Sequence, residues 1–336
     1  MGDATGARWH EMKMTAFDRE LLKASLDEAT IEDVWGELAV TDGGSTAPPS
    51  GAHPVMTFQA NSGLSAQAIQ DLTECPSLAL TLEPGANPCD FAQASVSASR
   101  SGYEKVHRFV RVMRHLGWTV RQTEAALRAL GGQPDEGFLQ RAHRVKQTAD
   151  RLRLPIERAL VLFGSIDTHR WDDEPSEYDR VFLVASVLDD DGLAALQIDD
   201  AGRPPRTYGE LEPQLAALLR MPRPEMATLL RLGEPHNPAP PWASRFITFE
   251  GKAVGRKGLS LLARYATLRR ALRTTVDELI ALQKLEGHSL HQADDVPQLL
   301  DLWDALASAG LTPTAVLGVF EGESEPPTDE WNAVRE

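Results

Sequence analysis

The chain has 336 residues, with 49 acidic side chains against 34 basic ones and a formal charge of −15. Apolar residues make up 42% and charged residues 25%, a balance that is ordinary for globular proteins with a buried core. At roughly 100–200 residues per domain, the length predicts two or three domains or one extended repeat array. The negative charge argues against a dedicated binder of nucleic acid or of anionic membranes, because both would repel it.

The sequence carries no recognisable targeting or membrane signal. Its longest apolar stretches, Ala159–Phe163 and Val181–Leu188, are far shorter than the ~20 residues of a spanning helix. No charged segment followed by an apolar one lies near Met1. We therefore expect a protein that is made in the cytoplasm without a signal peptide; if it leaves the cell, it does so without a standard signal peptide.

Composition and periodicity divide the chain into five segments. We predict the following order: an N-terminal helical segment and flexible linker at 1–57, a helical region at 58–233 with a β insertion near 187–206, a proline-rich connector at 234–245, C-terminal helical hairpins at 246–320, and an acidic tail at 321–336. The β insertion is predicted from the short apolar run before Asp189 and from the turn signature Asp199–Gly202.

Helical periodicity dominates the region from residue 58 to residue 320. In 103–118, for example, Val106, Phe109, Val110 and Met113 recur at three- and four-residue steps, which predicts one buried stripe. The predicted fold class is therefore all-α, built from stacked helical hairpins that bury their stripes against each other, with one small β-hairpin insertion.

A recurring junction separates these helices. A small or flexible residue is followed by an apolar residue and then by Ser, Thr or Pro. The six examples are Ser62–Ser65, Leu116–Thr119, Arg153–Pro155, Arg220–Pro222, Leu272–Thr275 and Ala309–Thr312. Glycine supplies a left-handed helix stop, the apolar residue packs into the corner, and the hydroxyl caps the next helix. Proline replaces that cap because the first N–H of a helix has no partner in any case.

We find no constellation of residues typical of catalysis or of metal binding. Asp189, Asp190 and Asp191 lack the alternating ligand spacing of a calcium loop, and a solvated turn is the simpler interpretation. His107 and His115 lie two helical turns apart, which is too far for one metal ion. The sequence thus predicts no enzyme, no cofactor and no metal.

Two further features of the sequence leave alternatives open. Cys75 and Cys89 flank a loop that a disulfide could close, although free thiols are the default for a protein made in the cytosol. Arg108, Arg111 and Arg114 form a basic stripe on one predicted helix. This stripe is either a solvated helix face or an interaction face for an acidic partner, and nucleic acid is the less favoured partner because no aromatic residues are interleaved.

The helix 106–119 resembles a known family. Val106–Thr119 is similar to the "hRFxRLxRxLGWs" signature of insecticidal toxin-complex A subunits and of the related virulence-plasmid A proteins. Further segments resemble the family in the same order along the chain: Ser62–Leu72 before it, then Arg144–Lys146, Leu152–Pro155, Gly164–Thr168, Ser176–Leu183, Leu261–Leu282 and Leu300–Thr312. The resemblance extends from Phe58 to Phe320.

The resemblance implies a piece of the α-helical shell of such a subunit. In that family the shell surrounds a translocation channel, the A subunit assembles as a homopentamer, and the shell carries no catalytic residues. The matched junction and structural positions are Gly63, Gly117, Trp118, Pro155, Tyr178, Asp179, Phe182, Thr275 and Gly310.

We therefore expect a non-enzymatic scaffolding or shielding module of a toxin-delivery particle. Its expected partners are other toxin-complex-like subunits or further copies of this chain, and no membrane insertion is expected of this chain alone. A stand-alone helical adaptor, binding a protein partner through Arg108, Arg111 and Arg114, is the alternative.

Overall fold

The computed structural model describes residues 51–131, 135–172, 174–197, 206–231, 254–287, 290 and 295–321. The chain divides into two compact units, Met1–Lys146 and Gln147–Glu336. The predicted segment at 1–50, the connector at 234–245 and the tail from residue 322 lie outside the described residues. The described residues are mainly helical with one small antiparallel sheet, which confirms the predicted fold class.

The first unit contains the sheet and the first helical hairpins. Its elements are β1 (Gly51–Pro54), α1 (Val55–Ser62), α2 (Ala66–Glu74), β2 (Thr81–Glu83), a 3₁₀ turn (Phe91–Gln93), β3 (Ser95–Ala98), α3 (Arg100–Leu116), α4 (Val120–Leu130) and the first part of α5 (Glu136–Leu152). In the sheet, β3 lies between β1 and β2 and is antiparallel to both. The Tyr103 hydroxyl of α3 donates to the Val96 carbonyl at 3.0 Å, which holds the helix against the central strand.

The second unit is helical. Its elements after α5 are α6 (Ile156–Phe163), α7 (Glu177–Phe182), α8 (Asp190–Leu196), α9 (Glu212–Leu218), α10 (Arg223–Arg231), α11 (Arg256–Leu272), α12 (Val276–Glu286), α13 (Val296–Ser308) and α14 (Pro313–Glu321). An isolated antiparallel bridge joins Trp171 and Glu174. Helix α11 is buried along Leu259–Leu268 and forms the centre of this unit's core.

The predicted position of the β insertion is wrong. Residues 190–196 form helix α8, whose N-cap Asp189 accepts a hydrogen bond from the Gly192 N–H at 2.8 Å. Asp190 and Asp191 lie in its first turn, where negative charge is favoured by the helix dipole. Residues 198–205 lie outside the described residues. The sheet of the fold is instead made by residues 51–54, 81–83 and 95–98.

Five of the six predicted corners are closed by main-chain hydrogen bonds of one kind, whereas at the remaining corner the Gly63 N–H returns to the Gln59 carbonyl, four residues earlier. After the helix, an N–H returns to the carbonyl five residues earlier, at 2.9–3.0 Å, in the pairs Trp118–Met113, Leu154–Ala149, Met221–Ala216, Thr274–Arg269 and Leu311–Leu306. This bond is the mark of the Schellman motif, which needs a left-handed residue one position earlier. The predicted recurring junction is thus a repeated backbone structure.

Glycine and arginine share the left-handed position of these corners. Gly117 and Gly310 have φ 71°, whereas Arg153, Arg220 and Arg273 have φ 49–54°. Left-handed backbone costs an L-residue roughly 1–2 kcal/mol, because its Cβ approaches the following carbonyl. The three arginine corners are therefore strained where the glycine corners are not.

Within the described residues, no single helix is long and apolar enough to cross a membrane. Only helices α13 and α14 taken together are long and apolar enough to do so, and the chain bends by 93° at the break between them.

Candidate functional site

The predicted basic face lies on α3. Arg108 and Arg111 are half-buried, and both act on His107, whose pKa is lowered by burial and by these two charges. The Arg114 guanidinium donates from Nη2 to the Ser62 carbonyl at the end of α1. Arg114 therefore holds one helix end against another. That these three residues bind a partner stays a prediction.

The matched corner residues lie at helix ends. Gly63 and Gly117 are left-handed C-caps, and Gly310 has the same conformation. Trp118 is 7% exposed, so its indole packs inside the corner. The four capping hydroxyls each accept a backbone N–H at 3.1–3.3 Å; they belong to Ser65, Thr119, Thr275 and Thr312. Pro155 is the N-cap of α6 and makes no side-chain cap bond.

Tyr178, Asp179 and Phe182 organise the short helix α7. The Tyr178 hydroxyl donates to the Leu196 carbonyl at 2.5 Å, and its ring stacks at 5.2 Å on Phe182, which is fully buried. Asp179 completes a capping box with Ser176 and pairs with Arg170 at 2.7 and 2.8 Å. Arg170 and these hydrogen bonds hold the pKa of Asp179 below its usual range. All three matched residues are thus engaged in structural contacts.

Arg264 is a buried cation bound by backbone carbonyls. It is 6% exposed, and its Nε and Nη2 donate to the Val161 and Gly164 carbonyls at 3.1 and 3.0 Å. Its Nη1 donates to the Leu290 carbonyl. Burial lowers the pKa of Arg264 to about 10. Since Val161 and Gly164 lie at the C-terminal end of α6, the helix dipole there favours the positive charge.

The residue after Arg264 on α11, Tyr265, forms a second buried polar group together with Gln283 of α12. Tyr265 and Gln283 exchange hydrogen bonds at 3.0–3.1 Å, and Gln283 Oε1 also accepts the Leu290 N–H at 3.0 Å. Leu290 is therefore held through both of its backbone polar groups, by Gln283 and by Arg264. This network links α11, α12 and the connection that follows α12.

A buried acid lies in the first unit. Glu124 of α4 is 1% exposed, and its Oε2 accepts the Ser77 hydroxyl at 2.5 Å. The neighbouring Cys75 thiol donates to the Asp71 carbonyl at 3.2 Å. Burial, followed by the charges of Glu124 and Asp71, raises the pKa of Cys75 far above its usual value. Cys75 is therefore a protonated, unreactive thiol, and both Cys75 and the exposed Cys89 are free.

Four arginines of the second unit interact electrostatically: Arg158 on α6, Arg220 in the corner after α9, and Arg269 and Arg270 on α11. We call Arg158, Arg220, Arg269 and Arg270 the arginine cluster. Arg269 forms a bidentate pair with Glu225 at 2.6 and 2.9 Å. Arg158 Nε lies 2.7 Å from Glu177 Oε1, although its N–H does not point along a hydrogen bond.

Two members of the arginine cluster have no acidic partner. Arg220 and Arg270 are exposed, and neither forms an ion pair with any residue that the structure describes. Arg270 Nε donates only to the Ala266 carbonyl of its own helix, at 3.2 Å. The pKa of Arg270 is lowered by burial and by the charges of Arg158, Arg220 and Arg269.

Sequence reasoning missed both Arg264 and the arginine cluster. Arg264 does leave a signal, because it interrupts the apolar run from Leu259 to Leu268 on a helix that is otherwise buried. The arginine cluster leaves none, since its members come from two helices and a corner that are far apart in the sequence. Among the described residues, no three His, Cys, Asp or Glu side chains converge as metal ligands.

Comparison with solved structures shows a distant structural likeness. No family model matches the chain, and no curated protein matches it. The cryo-EM structure of Morganella morganii TcdA4 is similar with a TM-score of 0.46 and 17% sequence identity, over 67% of this chain. The chain spans 10% of the length of TcdA4. This likeness is too distant to establish family membership.

Proposed function

We propose that this chain is a non-enzymatic assembly module that resembles part of the helical shell of a toxin-complex A subunit. In this proposal it scaffolds or shields a toxin-delivery particle. Its partners are toxin-complex-like subunits or further copies of the chain. The whole activity of such a particle would require further chains or segments.

One observation carries the proposal. The segments that resemble the family fall on the corners and caps of the helical hairpins. Ser62–Leu72 contains the corner between α1 and α2, Val106–Thr119 ends at the corner after α3, and Leu261–Leu282 contains the corner between α11 and α12. The resemblance therefore rests on residues that specify how helices are joined, which is the property that a shell of stacked hairpins requires.

The distribution of polar and apolar groups also supports a structural role. The buried polar side chains of Arg264, Gln283 and Tyr178 all donate to backbone carbonyls. Exposed large apolar residues gather at the end of the described chain, where Leu311, Val319 and Phe320 are 49%, 81% and 77% exposed. Exposed apolar groups of this kind are typical of a surface that another protein covers.

The test is the association state of the full chain. We expect reversible self-association in sedimentation velocity, and we expect the double variant Val319→Ser/Phe320→Ser to weaken it because both side chains lose their apolar contact. Met56→Ser is the matched control, since Met56 is 52% exposed but lies on α1. A chain that stays monomeric at every concentration would exclude further copies of the chain as its partners and leave other subunits in that role.

The alternative adaptor role through Arg108, Arg111 and Arg114 has less support. Arg114 is already used to bind the Ser62 carbonyl, and Arg108 and Arg111 are half-buried beside His107.

A further inference from the structure

Helix α14 has one face that is packed against the second unit and one face that is exposed. The helix packs against α12, with Pro313 buried and Leu317 half-buried. On the other side, Ala315 and Val319 follow each other by one helical turn and are both exposed. Val319 is 81% exposed and the neighbouring Phe320 is 77% exposed. The outer face of α14 is therefore a row of apolar side chains in contact with water.

This outer face is uncharged, although the chain as a whole has a formal charge of −15. Residues 305–320 contain no acidic and no basic side chain. The two aspartates that precede them on α13, Asp301 and Asp304, are paired with Arg151 at 2.7 and 2.5 Å. The hairpin of α13 and α14 therefore offers a neutral surface on a molecule whose copies otherwise repel each other.

A contact between two copies of one chain has a special requirement for charge. Around a two-fold axis the same surface is used from both sides, so that a charge near the axis lies opposite its own copy. The only charged residue of α14 is its last one, Glu321, and its first turn contains no acidic residue. In an antiparallel pair of α14 helices, Glu321 would lie beside the first turn of the other helix, where the helix dipole favours negative charge. The helix is thus complementary to itself.

We propose that α14 pairs with α14 of a second copy of the chain, antiparallel and around a two-fold axis, through the face formed by Ala315, Val319 and Phe320. This pairing rests on the proposed assembly role and names its partner and its symmetry. A helix of nine residues is only about 14 Å long, so it buries far less than the ~800 Å² per partner of a stable interface. The pairing is therefore weak, reversible and dependent on concentration.

The composition of α14 favours a second copy over a membrane surface. Helices that lie in a membrane surface usually carry basic residues on the polar face beside their apolar face. Helix α14 contains no basic residue, and its second face is packed against α12. Together with α13 it would have the length of a span, but the chain bends by 93° between the two helices.

The experiment measures association between full chains that carry opposite charges at residue 319. Val319→Glu is labelled with a fluorescent maleimide at the exposed, free Cys89. It is titrated in fluorescence-detected sedimentation velocity with unlabelled Val319→Glu or with unlabelled Val319→Lys. Both copies of residue 319 lie near the proposed axis, because Val319 is within one turn of the middle of α14. We expect about tenfold tighter association with the Lys variant, since like charges repel and opposite charges attract.

Met56→Glu and Met56→Lys are the matched controls. Met56 is 52% exposed and lies on α1, so the same two charges enter a different part of the chain. We expect labelled Met56→Glu to associate equally with both unlabelled Met56 variants, and as tightly as the wild type associates with itself. A single added charge is a small change in a molecule of charge −15.

The two-fold pairing is refuted if Val319→Glu associates equally with both unlabelled Val319 variants, or if it associates with itself like the wild type. Association that persists in either case would leave the assembly role intact on another surface. A wild type that stays monomeric would also refute the pairing and leave other subunits as partners. Flotation of the monomer with phosphatidylcholine vesicles, lost in Val319→Glu, would overturn the second copy as the occupant of this face.

Discussion

Arg264 connects three separate segments of the second unit through hydrogen bonds of its side chain. Its guanidinium supplies donors to three carbonyls, at Val161, Gly164 and Leu290, and burial lowers its pKa to about 10. A buried charge is tolerated only where polar groups replace the lost water. Here the carbonyls at the end of α6 take that role, so the charge and the helix end stabilise each other.

Replacement of Arg264 by methionine should destabilise the second unit by about 3 kcal/mol, because buried carbonyls would lose their donors. Urea unfolding of the full chain would measure the loss. Arg264→Lys should cause a smaller loss of stability than Arg264→Met, since one ammonium group replaces only some of the donors of the planar guanidinium group.

Arg256 on the same helix is the control for this change. It is exposed and makes one contact of 3.4 Å to Thr168, so Arg256→Met should change stability by less than about 0.5 kcal/mol. Equal effects of the two substitutions would contradict a special role for Arg264.

From the ion pair of Glu225 we predict how the free energy of unfolding changes with pH. The Arg269 guanidinium lowers the pKa of Glu225 in the folded state below its ordinary value of 4.5, with a further contribution from the Val276 N–H. The stabilisation by the ionised carboxylate is fully present above pH 4.5 and is lost as the pH falls through the lower, folded-state pKa. Glu225→Gln should therefore cost about 1–2 kcal/mol at pH 7 and progressively less below about pH 4.

Urea unfolding of wild type and variant between pH 7 and pH 3 would give this difference. Asp150→Asn serves as the comparison, because Asp150 is exposed and forms no side-chain contact in the described part of the chain. A Glu225→Gln effect that stays constant down to the lowest pH would contradict the assigned ion pair.

Single residues were predictable where their chemistry is local. The corner glycines and capping hydroxyls act on N–H and carbonyl groups three to five positions away, so their roles can be inferred from short sequence patterns. Arg264, in contrast, reaches carbonyls 100 and 103 positions earlier. No spacing rule indicates such partners.

At the scale of elements, the corners offer a clean measure of backbone strain. A Cβ at Gly117 would meet no atom within 4 Å, so Gly117→Ala changes only the conformational cost of φ 71°. We expect a loss of about 1 kcal/mol in thermal or urea unfolding. Gly209 also has open space and no positive φ, so Gly209→Ala should be neutral or slightly stabilising. A loss at Gly209 as large as at Gly117 would rule out strain as the cause.

The failed β-hairpin prediction has a physical reason. Aspartates and glycine favour turns, but the same residues also begin helices, and Asp189 accepts the Gly192 N–H as an N-cap. The strands of the described residues are only three or four residues long and pair across 12–47 positions, as between Ser95 and Glu83 or between Ala98 and Gly51. Such short, distant pairs leave little periodicity to detect.

At the scale of the whole molecule, net charge and apolar surface should oppose each other. Copies of a chain of charge −15 repel, whereas the apolar residues Val319 and Phe320 favour association. Raising salt from ~20 to ~150 mM should therefore strengthen self-association in sedimentation velocity, because screening reduces the repulsion. Self-association that weakens with salt would indicate a charged interface instead.

The Schellman corners affect how the sequence of such a chain can change in evolution. Their closing hydrogen bonds join main-chain atoms, and both glycine and arginine occupy the left-handed position. Most side chains around a corner can therefore be exchanged while the joint itself is kept. A hairpin bounded by two such joints is a unit that gene duplication or deletion can add or remove without redesign of its neighbours' ends.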